Sequence, residues 1–405
     1  MGMIYRTEYM HQLHAFKDNK LIKVVTGLRR CGKSTLLQMF ADELIASGVS
    51  QQRIVTINFE LMRYDDIRTY RVLYDFITPL LCSQARTYLF LDEIQQVSGW
   101  EKAINSLSIE YDIDIYITGS NAHLLSSELS TLISGRYVEL KMLPLSFKEF
   151  YDYFATSGQT REFLFHTYLR HGGLPQLLTL PPDEKTIDVF LKSIYDTIIL
   201  KDVVQRNNIK DFDMLQRIFK FICGNVGSIV SSNKISTYIS KEAKLDRDVR
   251  AATVSNYLKM LESAFIIYRA ERYDVKGKEV LKSLEKYYVA DIGLRNALLG
   301  YDLADYGHLL ENCVYLELVR RNHSVYVGKH NDKEIDFVTI DSNGRKYYQV
   351  TQSLVDEKTQ ERELAPFASI GDHYEKIIIT ADTNLIKDAN GIRIINIIDF
   401  LLGDE

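Results

Sequence analysis

The stretch VVTGLRRCGKSTLLQMF, from Val24 to Phe40, constrains this chain more than any other. Gly27, Gly32, Lys33 and Ser34 fit the spacing G-x-x-x-x-G-K-[ST] without a mismatch. The apolar segment LIKVVT precedes them, and the helix-patterned STLLQMFADELIAS follows. A strand, a glycine turn and a helix in that order build one unit of an α/β layer. The glycines let the backbone curl so that successive N–H groups point at one spot. The helix N-terminus adds positive potential there. The expectation is a phosphate cradle formed by Gly27, Arg30, Cys31, Gly32, Lys33, Ser34 and Thr35. Lys33 reaches the β- and γ-phosphates, and Ser34 ligates Mg²⁺, so ATP and Mg²⁺ are the expected cofactors.

A second segment, TYLFLDEIQQV, ends an apolar strand in Asp92 and Glu93. Parallel sheets bind ligands at the C-terminal ends of their strands. There Asp92 suits Mg²⁺ through water, and Glu93 suits orientation and deprotonation of an attacking water. A cap on the next helix is the plainer reading of the same pair. The strand DIDIYITGSN ends in Thr118, Ser120 and Asn121, any of which can hold that water, with Asn121 as the candidate. Arg136 is a candidate to stabilise charge on the transferred phosphoryl group, in cis or from a neighbouring subunit.

Bulk properties narrow the partners. The chain has 405 residues and a formal net charge of -5, so several domains are expected and any nucleic-acid face must be local. No apolar run is long enough to span a bilayer, and the N-terminus lacks a signal-peptide pattern. Cys31, Cys82, Cys223 and Cys313 are scattered without a CxxC pair, so cytoplasmic residence is expected.

Residues 21–145 alternate apolar strands with amphipathic helices, which predicts a parallel α/β sheet. The pattern is helical to about 206. Short helices and a strand pair run from 207 to 285, and strands return after 286. With GLRRCGKSTLL, FLDEIQQVSGWEKAINSL, HGGLPQLL, YYVADIGLRNALL, GHLLENCVYLELVRR and EIDFV in this order, the chain resembles prokaryotic AAA+-type, STAND-like ATPases that carry a C-terminal restriction-endonuclease-like domain. The resemblance implies four parts: an AAA+-type P-loop core (1–150), a helical lid (151–206), a winged helix (207–285) and a small α/β endonuclease-like domain, degenerate in its motif (286–405). It also gives Gly173 and Pro175 of the GGLP turn a role in contacting adenine; a helix stop is the local alternative.

Two further surfaces follow. In 231–285, apolar Val254, Tyr257, Leu258 and Leu261 fall at helical spacing, which leaves Arg250, Ser255, Asn256 and Lys259 outward. The segment holds 11 Lys plus Arg against 8 Asp plus Glu, a weak footprint for double-stranded DNA. A protein-docking or purely structural module is the alternative. In the last part, the resemblance assigns Glu311, Asp336 and Gln349 to a second Mg²⁺ site of the PD-(D/E)XK type. Thr351 stands where that motif needs lysine, with Lys346 or Lys358 as conceivable substitutes. The expected function is an ATP-hydrolysing switch acting on DNA or on a protein, in a chain that can form homo-oligomers and needs no membrane. The competing expectations are an ATP-regulated Mg²⁺ nuclease and a non-catalytic DNA-binding regulator.

Overall fold

The computed structural model describes the chain except residues 1–3, 123–134, 208, 243–248, 322, 343, 369, 384–387, 390 and 405. It divides into two compact units, Met1–Pro144 with Ser263–Phe265, and Leu145–Glu262 with Ile266–Glu405.

The first unit is a five-stranded parallel sheet with flanking helices. Helix α1 (Thr7–Ala15) leads into β1 (Ile22–Gly27), α2 (Lys33–Ala46), β2 (Ile54–Asn58), α3 (Tyr70–Ile77), β3 (Thr87–Asp92), α4 (Trp100–Glu110), β4 (Ile113–Gly119) and β5 (Tyr137–Met142). The order is β2-β3-β4-β1-β5, and every pairing is parallel. Strands β1, β3 and β4 are buried along their whole length, which explains their near-continuous apolar runs. On one face Leu89, Leu91, Ile115 and Ile117 pack with Leu73, Trp100, Ile104 and Leu107. The sheet also buries an ion pair between Lys23 and Asp114, beside the stacked rings of Phe90 and Tyr116. Because β4 lies between β1 and β3, its C-terminal end separates the glycine turn from Asp92 and touches both surroundings.

The second unit begins with α5 (Phe147–Phe154), α6 (Arg161–His171) and α7 (Glu184–Thr197), which continues as a π-helix through Ile198–Gln205. Helix α5 opens with a reciprocal capping box between Ser146 and Glu149. Next come α8 (Phe212–Gly224), α9 (Ser232–Glu242) and α10 (Ala251–Ser263), then the hairpin β6 (Ile267–Asp274) and β7 (Glu279–Val289). Helices α11 (Ile292–Leu299) and α12 (Tyr306–Arg320) precede β8 (Ser324–His330), β9 (Lys333–Asp341) and β10 (Gly344–Thr351). The chain closes with α13 (Glu357–Ala368), β11 (Glu375–Thr380), β12 (Asp388–Ala389), β13 (Ile392–Asn396) and α14 (Ile397–Leu402).

One feature departs from the expected division. The hairpin belongs to an eight-stranded sheet of order β12-β13-β11-β10-β9-β8-β6-β7, with β6 parallel to β8 through Arg272 opposite Val327. The expected boundary at 285/286 therefore falls inside β7. A segment break that looks clean in composition is bridged in space, because a hairpin with a free edge gains by pairing with the next sheet.

Candidate functional site

The glycine turn is tightly specified. Gly27 has φ +146°, and a Cβ there would lie 2.1 Å from the Met142 carbonyl oxygen, so no other residue fits the approach of β5. Gly32 takes φ +104° as the residue before α2. The turn thereby delivers the first amides of a 14-residue helix toward one point. Arg30 is exposed with φ +65°. Cys31 is fully buried and directs its thiol to Met142 O at 3.4 Å, so only its backbone is left for a ligand. Lys33 is 4 % exposed and bonds the loop's own carbonyls, Gly27 O at 3.0 Å and Leu28 O at 3.1 Å. Ser34 and Thr35 face outward at the helix start.

Asp92 stands at the end of β3 and converges on the same place. Its Oδ1 accepts from Thr118 Oγ1 at 2.5 Å, its Oδ2 accepts from Asn58 Nδ2 at 2.8 Å, and Ser34 also hydrogen-bonds it. Burial raises its carboxyl above the ordinary range, while the Thr118 and Ser34 hydrogen bonds pull the other way. Glu93 takes the left-handed conformation, φ +54°, which turns its side chain off the strand path. Its amide donates to Thr118 Oγ1 at 2.9 Å, and its carboxylate meets Ser120 Oγ at 3.4 Å and the Gln95 amide. Asn121 is 2 % exposed just beyond β4. One threonine thus ties together the two acids that sequence spacing singled out, and the donor set of hydroxyl and carboxylate suits a hard cation such as Mg²⁺.

Arg136 is placed elsewhere. It precedes β5, whose Tyr137 pairs with Ile22 at the start of β1. The glycine turn follows the far end of β1, about 17 Å away at strand spacing. Its guanidinium bonds Asn105 Oδ1 at 3.2 Å. Arg136 therefore does not reach the phosphate loop of its own chain, and the cis role is corrected. The rule that parallel strands present ligands at their C-terminal ends already pointed this way.

Two residues escaped the reading of the sequence. Asn58 ends β2 and holds Asp92. Arg6 is 3 % exposed and donates to Cys31 O at 3.1 Å and Leu143 O at 2.9 Å, bracing the turn against the end of β5. Strand-end position signals the first; nothing local signals the second.

In the second unit the GGLP turn is held by α11. The Gly173 amide donates to Asp291 Oδ2 at 2.7 Å, and Leu294 N donates to Oδ1 at 3.1 Å. A Cβ on Gly173 would meet Leu145 O at 2.4 Å, so packing alone demands glycine. Pro175 begins a short 3₁₀ turn, Pro175–Thr179. Burial pushes the Asp291 carboxyl up to about 6.

The structure brings Glu311, Asp336 and Gln349 to one open pocket of about 830 Å³. A lysine stands among them, but neither Lys346 nor Lys358. Lys286, on β7, reaches Glu311 at 2.9 Å, Glu334 at 2.7 Å and Asp336 at 3.4 Å with its side chain 2 % exposed. Lys346 pairs with Glu375 instead. Burial opposes the Lys286 charge, but the three carboxylates outweigh it and hold the ammonium well above its ordinary range. Gln349 accepts from Asp336 N and donates to Glu363, so both ends of its amide are engaged. Thr351 bonds the Ser353 carbonyl. Among the described residues no group of three or more His, Cys, Asp or Glu side chains is arranged to hold a metal ion, and no helix is long and apolar enough to cross a membrane.

Residues 19–151 match the family model of an AAA domain, and 162–305 match one described as a domain of unknown function (DUF8612). An uncharacterized protein of Haemophilus influenzae is 40% identical over 404 residues, 99% of each chain. An uncharacterized protein of Methanocaldococcus jannaschii is 29% identical over 85% of this chain and 78% of its own. Among solved structures, a Walker-type ATPase of Pyrococcus abyssi superposes with a TM-score of 0.52 at 16% identity, over 73% of this chain and 96% of its own. The chain thus belongs to one family with the Haemophilus protein, 40% identical along its full length, and its residues 19–151, which carry the glycine turn and the Asp92–Glu93 pair, are an AAA domain.

Proposed function

We propose that the chain binds ATP with Mg²⁺ at the glycine turn, hydrolyses it, and uses the cycle as a switch acting on a macromolecular partner. The observation that carries this is the convergence of Lys33, Ser34, Glu93 and Thr118 on Asp92 at the C-terminal end of one sheet. When bound, Mg²⁺ supplies charge neutralisation on the phosphates. Ser34 and Asp92 would hold it. The Lys33 ammonium, bonded to the loop carbonyls of Gly27 and Leu28, can turn to phosphate oxygens, which are stronger acceptors. Glu93 is buried and aimed away from the strand, so it suits proton acceptance from a water. The GGLP turn, Gly173 and Pro175, remains the proposed adenine contact, and Asn121 the proposed partner of the water.

Steady-state ATP hydrolysis tests the reading. Glu93→Gln should lower turnover about a hundredfold or more while leaving nucleotide binding. Lys33→Ala should abolish binding. Turnover that survives Glu93→Gln, or wild-type nucleotide affinity in Lys33→Ala, overturns it. The nuclease alternative draws less support: although Lys286 places a lysine beside the acids, Gln349 is engaged at both ends, and among the described residues no group of acids is arranged to hold a metal ion.

A further inference from the structure

The exposed face expected to read DNA, on α10, is poor in charge. Among the described residues, Arg250 just before the helix and Asn256 and Lys259 on it are exposed and Ser255 is half-buried, so two cations face out there. The charge is concentrated elsewhere. Helices α8 and α9 form the walls of an open groove of about 890 Å³. Arg217 and Lys220 line it from α8, and Lys234 and Lys241 from α9. Glu242 is its one carboxylate among the described residues, and Arg217 lies 3.8 Å from it. A groove of net +3 on a chain of net -5 is a local concentration of positive potential.

Its other residues fit the same ligand. Lys234 and Lys241 are seven residues apart, about 10 Å along the helix, which spans about three phosphates of one DNA strand. Asn225, Asn233 and Thr237 add neutral hydrogen-bond donors of the kind that meet phosphate oxygens. Tyr238 is 48% exposed with its ring against Phe221, centroids 4.8 Å apart, so an aromatic surface is offered at the groove for sugar contact. Among the described residues Lys220 and Lys241 make no salt bridge, so their charge is not spent within the protein.

We propose that the α8–α9 groove binds the phosphate backbone of duplex DNA, and that this groove, rather than α10, is the nucleic-acid face. Its coupling to ATP rests on the switch reading above; the binding itself does not.

The test is fluorescence anisotropy of the full chain, without nucleotide, on a labelled duplex of roughly 30 bp, about three helical turns. Salt is varied between about 50 and about 200 mM. Expected for the Lys220→Glu/Lys241→Glu double variant is affinity at least about tenfold weaker, with the salt slope reduced by about 2. Lys259→Glu should change affinity less than about twofold if α10 is off the interface. A melting curve confirms that each variant folds. No duplex binding by wild type, equal loss in Lys259→Glu, or displacement of the duplex by polyglutamate at matched charge overturns the proposal, the last pointing to an acidic protein. ATP turnover is measured separately. DNA binding that depends on the groove in a chain without Glu93-dependent turnover leaves the groove standing and removes the switch. DNA-independent turnover with no duplex binding does the reverse.

Discussion

Lys286 shows what side-chain charge does when sequence distance is large. It meets Glu311 across 25 positions and Asp336 across 50, from a strand far in sequence from Lys346 and Lys358, where a lysine was sought. Replacing it with methionine leaves carboxylates buried without their cation, which should cost about 3–5 kcal/mol. Chemical denaturation of Lys286→Met reads this directly. Adding Glu311→Gln and Asp336→Asn should restore much of the loss, and no restoration would mean that the lysine matters by packing. Asp291 gives a pH signature of opposite cause. Its folded value of about 6 lies above the ordinary 3.8, so the native state keeps a proton that the unfolded chain releases between them. Its contribution to stability is complete below about pH 4 and is lost as pH rises through 6. The melting-temperature lead of wild type over Asp291→Asn should therefore narrow from about pH 4 to pH 7. A constant lead would show that Asp291 does not titrate in that window. Residues fixed by contiguous spacing, Gly27 through Thr35 and Asp92–Glu93, were legible in the sequence because a strand–turn–helix unit is local. Lys286 and Arg6 were not, because each acts on groups tens of positions away. Arg136 was misplaced because the strand it precedes runs parallel to β1, which sets it at the opposite end of the sheet from the glycine turn.

Elements tell a similar story one level up. The parallel core was readable because fully buried strands leave unbroken apolar runs, as in β1, β3 and β4. The strand pair at 267–289 was readable as a hairpin, but its partner was not. Edge pairing is made by backbone groups, and backbone groups carry no sequence label. Because β6 pairs with β8, the hairpin should exchange its amide protons with the C-terminal sheet. Native-state hydrogen exchange measures this. Protection of Tyr287–Val289 should fall together with that of β9 as denaturant rises. Opening of the hairpin with α8–α10, while β9 stays protected, would place it with the helices instead.

For the whole molecule, ATP with Mg²⁺ should act as a ligand of the folded state alone. At about 100-fold over the dissociation constant it should add about 2.7 kcal/mol to the unit that binds it. Scanning calorimetry should show one transition rising with ATP in wild type and none in Lys33→Ala. A shift in Lys33→Ala equal to wild type would mean nucleotide binds somewhere other than the glycine turn.

Arg6 has a mechanical side. Its guanidinium grips Cys31 O in the phosphate loop and, with the same group, Leu143 O and Pro144 O at 2.9 and 3.5 Å. Pro144 is the last residue before the chain enters its second unit. The glycine loop and the last residues of the first unit are thus clasped by one side chain, like a key and the bolt it turns. A displacement of the loop carbonyl would be felt at the exit residues through this guanidinium, alongside the Cys31 thiol that meets Met142 O.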